Sequence, residues 1–190
     1  MPLNIPNLLT WLRILLIPVF VAMFYLPQDW FSAHEVNYIA TLIFAVAALT
    51  DWLDGYLARA LNQTSAFGAF LDPVADKLMV AAALVLLVKL HRVDAGIALI
   101  IIGREIAISA LREWMAGLGK SKNVAVSFIG KLKTTAQMAA IPLLLYHDKI
   151  GGQIDSQAAG TILIYVAAVL TLWSMGYYLK KAWPQIVEQN

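Results

Sequence analysis

Long apolar runs alternate along this chain with short polar breaks, and the runs are of membrane-crossing length. Six stand out, at about Leu8–Leu26, Val36–Leu61, Asp72–Leu90, Ala95–Met115, Lys131–Tyr146 and Ala158–Leu179. This pattern predicts an all-α, polytopic membrane protein with six transmembrane helices. Five of the six carry polar residues toward one end. That end is N-terminal in the first run (Asn7, Thr10, Arg13) and C-terminal in the second (Asp51, Asp54, Arg59). It is N-terminal again in the third (Asp72, Asp76, Lys77), C-terminal in the fourth (Arg104, Glu105, Arg112) and N-terminal in the fifth (Lys131, Lys133). In an up-and-down bundle such alternation puts every polar end on one side. Asp51 stands ten residues before its run ends, about 15 Å deep at 1.5 Å per residue. A polar cavity opening to one membrane face is the expected result.

The breaks at 27–35, 89–94 and 147–157 are turns with no room for an outer domain. The connection Ala116–Gly130, with Gly117, Gly119, Lys120 and Lys122, reads as a loop moving beside the cavity mouth. Asn7, Thr10 and Arg13 read as anchors of the first span at the membrane interface. The three histidines, His34, His91 and His147, fall on the side away from the cavity and read as surface residues.

Composition agrees with the pattern. The 190 residues are 61% hydrophobic and 14% charged, with a mean hydropathy of +0.71, where soluble domains are about a quarter charged. One membrane domain over residues 1–190 is expected. The first run has no small-residue cleavage site after it and reads as a retained span. No cysteine is present, which excludes disulfide and thiolate chemistry. A net charge of +2 without a concentrated basic run argues against nucleic acid as a partner. The cavity side collects Arg59, Lys77, Arg112, Lys120, Lys122, Lys131, Lys133, Lys180 and Lys181, and the other side Lys89, Arg92 and Lys149 among several acids. By the positive-inside rule the cavity and both termini face the cytoplasm.

The chemistry concentrates in Asp51, Asp54, Asp72 and Asp76. Ionised carboxylates at membrane depth are expensive, and four together repel one another unless a cation joins them. Oxygen donors of this kind suit hard divalent ions such as Mg2+ or Mn2+. Spacings of three and four put each aspartate pair on one helix face, so two adjacent helices would present them to each other. Gly55 and Ala58 lie near the first pair, where small side chains admit a close neighbour. A second cluster, Arg104, Arg112, Lys131 and Lys133, carries more positive charge than Glu105 can neutralise, although a Glu105–Arg112 pair seven residues apart is possible. Surplus cations in a cavity predict an anionic, phosphate-bearing substrate. Membrane lipids are the remaining partners, with Lys120 and Lys122 placed to meet anionic headgroups.

The window from Asp51 to Asp76 reads D-x2-D-G-x2-A-R-x8-G-x3-D-x3-D, with Asp51, Asp54, Gly55, Ala58, Arg59, Gly68, Asp72 and Asp76 at the fixed positions. It resembles the signature of the CDP-alcohol phosphatidyltransferase family. The flanking segments Asn4–Arg13, Gly103–Ile106 and Gly130–Thr134 resemble the branch that takes glycerol 3-phosphate as acceptor. The resemblance implies transfer of a phosphatidyl group from CDP-diacylglycerol to glycerol 3-phosphate in a bacterial inner membrane. It implies two divalent cations, Mg2+ or Mn2+, on Asp51, Asp54, Asp72 and Asp76, with Asp76 also the general base. Gly55, Ala58, Arg59 and Gly68 would contact the CDP-diacylglycerol, and Arg104, Arg112, Lys131 and Lys133 the acceptor phosphate. Members of the family often pair as homodimers.

Plainer readings compete. An acidic cluster among membrane spans also suits a small cation transporter, which leaves the fixed Gly, Ala and Arg positions without explanation. Inositol phosphate or serine are alternative acceptors. Gly55 and Gly68 could serve helix packing alone. Asp72 before Pro73 could be an N-cap with proline in the first helical turn.

Overall fold

The computed structural model describes residues 5–27, 29–61, 66–118 and 128–187. Among these, the chain forms α1 (Ile5–Met23), α2 (Ala33–Ala60), α3 (Ala66–Lys89), α4 (Ala95–Gly117), α5 (Phe128–Tyr146) and α6 (Ser156–Val187). One small hairpin, β1 (Lys149–Ile150) with β2 (Ile154–Asp155), joins the last two helices. Each expected apolar run is a helix. The tip of the connection around Gly119, Lys120, Lys122 and Asn123 lies outside the described residues.

Local chemistry sets several boundaries. Ser32 caps α2 through a reciprocal box, its hydroxyl accepting from the Glu35 N–H while the Glu35 carboxylate accepts from the Ser32 N–H. Asp94 caps α4 by accepting from the backbone of Gly96 and Ile97. At the end of α3, His91 takes a left-handed backbone (φ 56°), and Arg92 N–H reaches back to the Leu87 carbonyl at 2.9 Å. This Schellman closure stops the helix and aims Arg92. Gly151 and Gly152, both at positive φ, turn the hairpin within the break expected as a turn.

One boundary differs in a way that matters. α3 begins at Ala66, so Asp72 and Pro73 sit inside the helix instead of at its cap. The apolar stretch 66–71 continues the helix upstream, and Pro73 forgoes only the bond to the Ala69 carbonyl.

Packing separates the bundle into two halves. Phe20, Phe44, Leu84, Leu87, Ile141 and Leu144 fill one, all essentially without exposure. Most buried polar side chains of α1 to α5, among them Thr10, Arg13, Asp54, Arg104 and Lys133, occupy the other. A smaller apolar cluster, Ile108, Met115, Tyr178 and Ala182, joins α4 to α6. Meanwhile Leu15, Val19, Leu42, Val85, Leu99 and Val169 point outward. Apolar outside and charged inside is the arrangement lipid selects. The segments Ala33–Asp54 and Ser156–Pro184 are long and apolar enough to cross a membrane, and the chain is a membrane protein.

The apolar end is latched by Arg92, one of the cations the sequence places on the side away from the cavity. Its guanidinium donates to the Leu144 and Leu145 carbonyls at 3.1 and 2.9 Å and to Asn37 Oδ1 at 2.9 Å. It thereby joins the α3–α4 turn to the ends of α5 and α2. Burial lowers its pKa from the ordinary value, and an arginine still keeps its charge. His147 is likewise half-buried with a left-handed backbone (φ 52°), whereas His34 and His91 are exposed as expected.

Candidate active site

The polar half is organised by α1. Asn7, Thr10 and Arg13 recur every third residue on one helix face, and all three are buried, Arg13 to 1% exposure. Arg13 lies about 12 Å along α1 from Ile5, so it cannot reach water as an interface anchor does. It is a correction to the sequence reading. Arg13 Nη1 donates to Asp51 Oδ1 at 2.7 Å, and Nη2 donates to Asp54 Oδ2. Thr10 Oγ1 donates to Asp72 Oδ1. One face of α1 therefore holds carboxylates from both α2 and α3.

Asp76 stands between this group and the basic one. It lies within electrostatic reach of Asp51 and Arg13 on one side and of Glu105 and Lys77 on the other. It lines a narrow gap with Arg13, Phe44 and Met138. It also lines a cavity of about 60 Å³ with Lys77, Glu105, Lys133, Thr134 and Gln137. Four aspartates 25 positions apart at most in sequence thus meet the cations of α4 and α5 through a single residue.

The basic group is more tightly paired than its composition suggests. Glu105 Oε1 accepts from Arg104 at 3.1 Å and from Lys133. The pair expected with Arg112 is replaced, because Lys133 on α5 approaches Glu105 directly. Arg104 also donates to Ser174 Oγ at 3.2 Å. Arg112 donates to the Tyr178 hydroxyl at 3.3 Å, and both arginines stand over the Tyr178 ring, at 5.7 and 5.3 Å. Lys131 is exposed. Of the four expected phosphate ligands, Arg104, Arg112 and Lys133 gather around Glu105 and Tyr178, and the exposed Lys131 is not brought into that group. Gly68 is buried in α3, while Gly55, Ala58 and Arg59 lie on the last turns of α2 with side chains outside the described residues.

The donor set suits a hard divalent ion, being all oxygen and strongly negative. Asp51, Asp54 and Asp72 each keep one carboxylate oxygen that Arg13 or Thr10 does not use. Among the described residues no three acidic or histidine side chains converge closely enough to hold an ion unaided. Mg2+ commonly takes one or two carboxylates and completes its shell with water and phosphate oxygens.

Several of these partners escaped the sequence reading. Arg13 and Thr10 carried a signal in their threefold spacing on one face. Ser174 and Tyr178 carried none, since α6 looks uniformly apolar. Gln137 is buried with its Oε1 unpaired among the described residues, and only the packing of α5 against α3 puts it in the cavity.

A carboxylate cluster thus meets a basic group inside a helical bundle, and the chain belongs to the CDP-alcohol phosphatidyltransferase family. The family's sequence model matches residues 3–173. Members of this family are generally dependent on divalent cations. The relatives include the CDP-diacylglycerol–glycerol-3-phosphate 3-phosphatidyltransferase of Escherichia coli K12, 54% identical over the full length of both chains. Proteins of the same name from Salmonella paratyphi A and Salmonella typhimurium are each 53% identical over the same coverage. The cation-transporter reading is set aside by this membership.

Proposed function

We propose that this chain, as one membrane domain over residues 1–190, transfers the phosphatidyl group of CDP-diacylglycerol to glycerol 3-phosphate. The products are phosphatidylglycerophosphate and CMP. The observation that carries the reading is the position of Asp76, shared between the carboxylate group and the cavity lined by Lys133 and Glu105. Full-length relatives bearing the corresponding name support the choice of substrates.

Asp51, Asp54, Asp72 and Asp76 would hold two divalent cations, Mg2+ or Mn2+. Bound there, the ions supply charge neutralisation for the pyrophosphate and for the departing CMP. The chain's own residues do the rest. Gly55, Ala58, Arg59 and Gly68 contact the nucleotide half. Arg104, Arg112 and Lys133, with the exposed Lys131, orient the acceptor phosphate through charge-assisted hydrogen bonds. Asp76 takes the proton from the acceptor hydroxyl as its oxygen attacks the phosphorus bearing diacylglycerol. The cavity opens to the cytoplasm of a bacterial inner membrane, where both substrates are available, and the six helices span that membrane.

Purified protein tests this directly. CMP release from CDP-diacylglycerol should require glycerol 3-phosphate and Mg2+ or Mn2+, stop on chelation, and be absent in Asp76→Asn although CDP-diacylglycerol still binds. Turnover that persists in chelator, or that prefers serine or inositol phosphate, would rule the reading out.

A further inference from the structure

We infer that Arg13, together with Thr10, is the positioning element for three of the four cation-binding carboxylates, holding one oxygen each of Asp51, Asp54 and Asp72 so that the other faces the ion. This rests on the assignment of the four aspartates as divalent-cation ligands. The geometry is that of an outer shell. A guanidinium presents a planar fork of donors, and Arg13 spends the two prongs on different carboxylates, Asp51 and Asp54. Thr10, one turn earlier, takes Asp72 in the same manner. Three carboxylates from two helices are thereby fixed from a third, each through one oxygen only.

The charge balance favours the same role. Four carboxylates and one guanidinium carry a net −3, which leaves the group strongly attractive to divalent ions. Arg13 is buried to 1% exposure, and its Nε has no partner among the described residues. A side chain so enclosed by helix packing lacks the freedom to swing aside when an ion arrives. It is therefore unlike a placeholder cation, which would occupy the ion's position and leave on binding. Outer-shell partners that orient metal ligands commonly change affinity by about 10- to 100-fold when removed.

The two roles predict opposite signs. Mn2+ binding to the full-length protein in detergent, read by electron paramagnetic resonance, is measured for wild type, Arg13→Gln, Arg13→Lys, Thr10→Val and Asp54→Asn. Arg13→Gln should weaken Mn2+ binding about 10- to 100-fold. Arg13→Lys, which keeps the charge without the fork, should recover only a small part of it. Thr10→Val, nearly isosteric, should weaken binding about tenfold and decides the matter if Arg13→Gln does not fold. Unchanged or tighter binding in Arg13→Gln, or in Thr10→Val where the former misfolds, overturns the inference. Full recovery in Arg13→Lys overturns it too, leaving charge alone as the cause. Failure of wild type to bind Mn2+, or an Asp54→Asn protein that binds as wild type does, instead defeats the ligand assignment beneath it.

Discussion

Lys133→Met is the sharpest probe of acceptor recognition. Lys133 is 3% exposed on α5 and pairs with Glu105. An ammonium has three donors, so the same side chain can serve Glu105 and a substrate phosphate together. Methionine nearly preserves the volume and removes the charge together with its donors. Glu105 would keep Arg104 at 3.1 Å, so the carboxylate is not stranded and the fold should survive. A hydrogen bond involving a charged group contributes about 1.5–3 kcal/mol, and about 1.36 kcal/mol is a factor of ten. The glycerol 3-phosphate KM should therefore rise about 10- to 150-fold. The KM for CDP-diacylglycerol should stay within about threefold of wild type, because uniform binding of one substrate is lost without touching the other. The assay is CMP release with each substrate varied in turn. Equal rises in both KM values, or a fall in kcat at constant KM, would refute acceptor binding by Lys133.

Two further predictions concern the scaffold. A Cβ at Gly160 would lie 2.7 Å from Leu144 Cγ and 3.1 Å from its backbone nitrogen, so Gly160→Leu should wedge α6 from α5. Overpacking of this kind costs about 1–3 kcal/mol, visible as a lower Tm in detergent; an unchanged Tm would contradict the close approach. His147 titrates below its ordinary 6.5, first because of burial and then because of the Arg92 charge. The unfolded chain therefore gains a proton that the folded one refuses, so the associated stability is complete above about pH 6.5 and is lost as pH falls below it. Thermal unfolding of wild type against His147→Gln across that range should show a slope that the variant lacks.

The helices, their order and the gathering of polar ends were legible because apolar run length and end-to-end alternation are properties of the chain itself. So was the aspartate window, whose spacing fixes helix faces whatever packs against them. The start of α3 was misplaced because Asp-Pro is a strong local cap signal, and the apolar stretch 66–71 outweighed it. Arg13 was misread for a related reason. A charged residue near a span terminus ordinarily reaches the interface, and its burial depends on which helices surround it.

By itself, the sequence determined the class of protein, the helical bundle and the four carboxylates of the proposed site, since each follows from residue type and spacing along a helix. Tertiary structure alone decided that α1 holds three of those carboxylates through Arg13 and Thr10, that Lys133 rather than Arg112 meets Glu105, and that Tyr178 supports both arginines. Those partners lie 28 to 74 positions apart in the chain. Contacts at such separation are set by how helix surfaces pack, and no local periodicity encodes them.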